Sequence, residues 1–233
     1  MDYQVTITMD PATVNGLNQS DSALCVYRAV TAADPAARPV VWARLEYSAN
    51  TEIRWADKWA AYTSLSPIVG GQDVTAGFSV GINLGQTLKV SSNGLGTVFN
   101  GGTESAISIQ NTTSTPYTCG ACCAVNASPA TPFCAFPLHG NNLQTITPLQ
   151  TVLLQFTSQP TKPGTILAES AAAYAESAAA YVYSLGYLID LTPAANNRQV
   201  CFDIDAGWSN GNAPWAQSVS ANPSSLTSWL IQR

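Results

Sequence analysis

The chain has 233 residues, and only 10% of them are Asp, Glu, Lys or Arg, against about 25% in ordinary soluble domains. The formal charge is −5 and the basic residues are scattered, which argues against a nucleic-acid partner. No apolar run reaches the roughly 18 residues that a membrane-spanning helix needs. A surface this short of charge repels its neighbours weakly, so association costs little and recognition must use hydrogen bonds and aromatic contacts.

Residues 3–9 alternate apolar and polar from the start, with no basic or apolar leader before them. They read as a strand rather than a signal peptide, which points to the cytoplasm or to leaderless export. Runs 23–30 and 40–47 continue the pattern. Trp55, Trp59 and Tyr62 then fall at i, i+4 and i+7, the stripe of a helix, although the same rings suit an irregular strand. They read as core aromatics more readily than as ligand contacts.

The longest alternation is 74–85. Its even positions place Phe78, Val80 and Ile82 in a core, and Gly77, Gly81 and Gly85 fall on the other face, with room for backbone to lie close. Further strands are expected at 87–90, 105–109, 151–157, 181–191 and 198–205, separated by turn signals. One of these, Asn93-Gly94-Leu95-Gly96, is a hairpin turn and not a nucleotide loop. Between 169 and 182 a seven-residue unit, Glu-Ser-Ala-Ala-Ala-Tyr followed by Ala or Val, occurs twice. Alanine favours a short helix over 167–180, either a neutral lengthening of a surface connection or a packing helix.

Six cysteines occur. Cys25 and Cys201 sit in apolar strand-like runs and read as small buried hydrophobes. Cys119, Cys122, Cys123 and Cys134 lie near the chain's one histidine, His139. Local disulfides among these four, free thiols in a loop, a Cys₃His metal site and a redox pair all use these residue types. The spacing matches no common zinc signature and lacks the strand and helix that a redox pair requires. We therefore expect disulfides there and no metal or cofactor. With one histidine in a turn-like context and no nucleophile elbow or phosphate loop, catalysis has no visible grouping.

In 200–215, Val200, Phe202 and Ile204 point one way and Cys201, Asp203 and Asp205 the other. A loop then carries Trp208, Asn210, Asn212 and Trp215. An EF-hand needs Asp or Asn at its fifth position and Gly at its sixth; here those positions hold Gly207 and Trp208. Rings beside amides suit a neutral sugar, so Asp205, Trp208, Asn210, Asn212 and Trp215 are the candidate ligand residues. The alternative is that the tryptophans plug the end of the fold.

Short strands at ten-residue spacing predict an all-β fold: one antiparallel, jelly-roll-like sandwich spanning 1–233 with one short helix. The expected role is non-catalytic surface recognition, chiefly self-assembly into an oligomer. A lectin-like module for a neutral glycan and a membrane-active β protein are the alternatives.

Overall fold

Period-two alternation builds the first strands as expected. In β1 (Asp2–Thr8) the residues Tyr3, Val5 and Ile7 are buried, and Gln4, Thr6 and Thr8 face outward because successive side chains leave a strand on opposite faces. The computed structural model describes residues 1–167, 185–220 and 222–233. Next along the chain come β2 (Ala23–Thr31), β3 (Arg38–Pro39), β4 (Ala43–Leu45), β5 (Asn50–Ala56) and β6 (Trp59–Ser64). They are followed by β7 (Phe78–Ile82), β8 (Gln86–Val90), β9 (Gly96–Asn100), β10 (Ile107–Asn111), β11 (Tyr117–Cys123), β12 (Thr131–Pro132) and β13 (Cys134–Leu138). The series closes with β14 (Leu143–Thr157), β15 (Gly186–Asp190), β16 (Asn197–Asp203), β17 (Gly207–Ser209), β18 (Ala216–Val219) and β19 (Ile231–Gln232).

The fold is all-β, with its strands in three hydrogen-bonded sheets. One runs β17-β16-β1-β5. A second runs β18-β15-β14-β10-β8-β9 and is extended by β2, β4 and β19. The third runs β3-β13-β11-β6-β7, with β12 on β11. Pairing is mostly antiparallel, but β1 with β16, β8 with β10 and β2 with β19 are parallel. One buried cluster draws on all three sheets, from Val5 and Val200 through Leu88 and Leu154 to Ala121 and Phe136.

Helices α1 (Pro11–Gln19) and α2 (Pro223–Leu230) were not foreseen. Each begins with a capping side chain followed by proline. Asp10 accepts from the Thr13 N–H, and Asn222 accepts from the Ser225 N–H. Proline at the first helical position costs nothing, because its missing N–H would have had no partner there. Leu226 and Leu230 of α2 cover the second face of β2, burying Cys25, Tyr27 and Ala29. That double burial is why β2 reads as a continuous apolar run.

Several expectations change. Trp55 lies next to the end of β5, whereas Trp59 and Tyr62 belong to β6, so the helical stripe is two strands in different sheets joined at Asp57-Lys58. The strand expected over 74–85 is only Phe78–Ile82, at the edge of its sheet. Ile82 is buried, but Phe78 and Val80 are only partly so. The faces are as expected, and backbone lies against Gly77, where a Cβ would meet Thr63 O at 3.7 Å, but a Cβ on Gly81 or Gly85 would meet nothing within 4 Å. From residue 168 onward, the helix expected over 167–180 and the tandem repeat lie outside the described residues.

Candidate functional site

Residues 203–215 form a tight connection after β16. The Asp203 carboxylate accepts from the N–H groups of Asp205 and Ala206 at 2.9 and 2.7 Å, which turns the chain toward Gly207 at φ 80°. Asn210 Nδ2 donates to Ala213 O at 2.7 Å, and Asn212 is exposed in the left-handed region at φ 62°. Trp208 goes the other way, into the core, with 8% of its surface accessible. Its ring lies 5.4 Å from Tyr187 and 5.5 Å from Phe156, both near-parallel, and 4.7 Å from Phe202. Its Nε1 donates to Leu185 O. Trp208 therefore plugs the joint between two sheets and presents no ring to a sugar. Trp215 is half-buried, with the Arg198 guanidinium 4.6 Å from its ring centre. Asp205 is exposed on the rim. Ile204 does not continue the buried row: it is 43% exposed because β16 ends at Asp203.

The expected disulfides do not form. Cys119, Cys122, Cys123 and Cys134 are all free and buried. Cys119–Cys123 is strand, not loop, in the middle of the third sheet between β6 and β13. Cys119 and Cys123 share a face but stand four residues apart, roughly 13 Å along an extended chain, beyond the roughly 7 Å limit for bridging. Cys122 points to the opposite face. Cys134 Sγ accepts from the Ala121 N–H at 3.4 Å. Burial pushes the Cys119 and Cys122 thiols far up, and the Cys134 thiol up to about 12. His139 is exposed in the turn after β13, its carbonyl accepting from Asn111 Nδ2. Among the described residues no group of three His, Cys, Asp or Glu side chains is placed to hold a metal ion.

Cys25 is buried as expected, but Cys201 is exposed, with its sulfur 3.0 Å from Thr8 Oγ1. The cause is that the described residues cover only one face of the first sheet. Native protein should therefore give one fast-reacting thiol with an uncharged disulfide reagent, and six in denaturant, since a buried protonated thiol is inert. Fast modification of any cysteine in β11 would refute the buried placement.

The outer face of that first sheet is a hydrogen-bonding surface of amides and hydroxyls that also carries the Arg54–Glu52 ion pair. Registered pairs align Asn197, Gln4 and Arg54 in one row, Gln199, Thr6 and Glu52 in the next, and Cys201, Thr8 and Asn50 in a third. Much of its capacity is used internally. Gln4 donates to Thr6 and Glu52, and it accepts from Arg54 Nε at 3.0 Å. A groove of about 470 Å³ beside Asp2, Gln4, Arg54 and Asn196 lies at one end, and one of about 400 Å³ beside Thr8, Asp10, Asp203 and Ser209 lies at the other.

One unusual centre was missed. Arg28 is wholly buried, and its guanidinium carbon lies 4.2 Å from the Trp59 ring centre and within 5.8 Å of those of Trp42, Trp55 and Phe133. A register shift in β14 between Pro148 and Val152 aims its polar groups at the cation. Arg28 Nε donates to Leu149 O, Nη2 to Gln150 Oε1 at 2.7 Å and Nη1 to Cys123 Sγ. Asp57 stands 3.8 Å away, held by Gln150 Nε2. Burial pulls the guanidinium pKa down to about 10. This aromatic cage is filled by the protein's own cation. Its sequence signal was one arginine inside the apolar run 23–30, followed by three tryptophans.

One stretch of the chain is distinctive for missing charge. Residues 59–161, which supply β6 to β14 and part of the following loop, contain only Asp73, Lys89 and Glu104 as charged groups. Asp73 is paired with Lys162. Leu65, Val69, Leu84, Leu95, Phe99 and Leu143 are exposed along this stretch. Comparison of the chain with protein-family models, curated proteins and solved structures found no match.

Proposed function

We propose that this is a non-catalytic protein that works by contact between neutral surfaces, chiefly with copies of itself. The observation that carries the reading is the uneven distribution of charge. Residues 59–161 combine three charged groups with six exposed large apolar side chains. A neighbour meeting this surface buries apolar area without stripping water from ions, the costly part of most associations. Scattered exposed apolar residues are ordinary; their coincidence with a nearly charge-free stretch is not.

The neutral-glycan reading loses support. Trp208 spends its rings on Phe156 and Tyr187, and Trp215 is already stacked on Arg198. The amide rows on the first sheet offer hydrogen bonds but no aromatic platform.

Light scattering across a dilution series, at low and high salt, tests the proposal. The expected mass exceeds that of one chain, rises with concentration and hardly changes with salt, since screening acts on exposed charges and not on apolar contacts. A mass equal to one chain at every concentration, or an assembly dissolved by salt, would overturn it.

A further inference from the structure

Resting on that reading, we infer that β9 is the seam of self-association, pairing antiparallel with β9 of a second copy about Val98. Among the described residues β9 ends its sheet, with β8 on one side and no hydrogen-bonded strand on the other. The hairpin fixes which groups are free. Ser91 N–H donates to Leu95 O, so by the antiparallel alternation the pairs Lys89/Thr97 and Thr87/Phe99 exchange hydrogen bonds. Gly96, Val98 and Asn100 must then direct their N–H and C=O groups away from β8.

Open edges are a hazard that proteins normally guard with charge, proline, bulges or brevity. Such guards stand on most other edges. β17 has three residues, and β3, β12 and β19 have two each. Arg44 sits in β4. β5 carries Glu52 and Arg54, and Asn126 plugs it by donating to Glu52 O and accepting from the Arg54 N–H. β7 is uncharged but interrupted by Gly81, and β18 has only four residues. β9 has no charge, proline or register shift.

The strand also complements itself. Registered neighbours form an apolar row from Ile109 through Leu88 to Val98. Ile109 and Leu88 are fully buried, whereas Val98 is only partly so. A second copy placed with Val98 opposite Val98 continues that row across the seam. The same register sets Gly96 opposite Asn100 and Thr97 opposite Phe99, buries no ion, and makes about six backbone hydrogen bonds. Phe99, 46% exposed and 4.9 Å from Lys89 Nζ, would gain a neighbour on its open side. The contact is two-fold and closed, the commonest symmetry of homo-oligomers.

Sedimentation equilibrium on the full chain, with Val98→Pro and Thr97→Lys, tests the seam. Val98→Pro deletes an outward N–H that the β8 ladder does not use, and Thr97→Lys adds the guard that the edge lacks. Both should weaken association at least tenfold, with unchanged far-ultraviolet dichroism and melting temperature. If the proline variant melts early, Thr97→Lys alone decides. Wild-type association retained by both folded variants would overturn the seam while leaving self-association intact. A wild type that stays a single chain throughout would overturn both.

Discussion

Arg28→Ala should be among the most destabilising single substitutions in the chain. The guanidinium is enclosed by Trp42, Trp55, Trp59 and Phe133, and it donates to Leu149 O, Gln150 and Cys123. Deleting it leaves those acceptors facing a void and Asp57 without its cation. Breaking one side of a buried pair costs about 3–5 kcal/mol; in a domain of this size that lowers the melting temperature by roughly 10 °C. Asp57 retains 27% side-chain exposure and can draw on water, which holds the loss within that range. Arg28→Met, which refills the volume without a charge, should be much milder, because a buried ion pair and an apolar replacement are often close in energy. Thermal melts of both variants decide the matter. An unmoved midpoint for Arg28→Ala would mean that the cage is packed without its cation.

Strands that alternate beside a covered core and an open face were readable from sequence: β1 and β16 overlap the expected runs, offset by a residue or two. Of the strands buried on both faces, β2 and the end of β14 were read as strands, but β11 was not. Cys119–Cys123 shows no alternation because Cys119, Ala121 and Cys123 enter one core cluster and Cys122 another, so turn-rich flanks made it look like a loop. Trp55, Trp59 and Tyr62 imitated a helix because the chain changes sheets at Asp57-Lys58, and two strands end to end produced a spacing near i, i+4, i+7. The helix starts were legible after all. Asp10-Pro11 and Asn222-Pro223 pair a cap with a proline, a signal outweighed here by the density of strand patterns.

The break after β16 was legible, but Trp208 belongs to the short strand β17 rather than to a loop, and the roles of the stretch were not legible. Sequence places Trp208 beside Asn210 and Asn212, but only the fold brings it under Phe156 of β14 and Tyr187 of β15. Nothing local announces a contact between residues 52 positions apart in the chain. Similarly, the cage around Arg28 depends on a register shift in β14 that no pattern in 143–157 declares. Charge scarcity was visible at once, whereas its concentration along β6 to β14 mattered only after those strands were placed.

Trp208→Ala should cost about 3–5 kcal/mol, as large-to-small changes of buried aromatics do. Trp208 sits on the first sheet, at β17, and touches Phe156 and Tyr187 of the second, so its ring is part of the joint between them. Truncation removes that packing and leaves the Leu185 carbonyl without the Nε1 donor at 3.0 Å. Trp208→Phe should fall between wild type and alanine, keeping part of the stack and losing the hydrogen bond. Trp215→Ala should cost less, because that ring is only partly buried, packing at the edge of the core and against Arg198. The ranking separates two roles for the same loop. If Trp208 is the plug, denaturant midpoints fall in the order Trp215→Ala, Trp208→Phe, Trp208→Ala, and any loss of binding in the last follows its loss of structure. A Trp208→Ala protein as stable as wild type would return the ring to the surface and with it the stacking role for a neutral ligand.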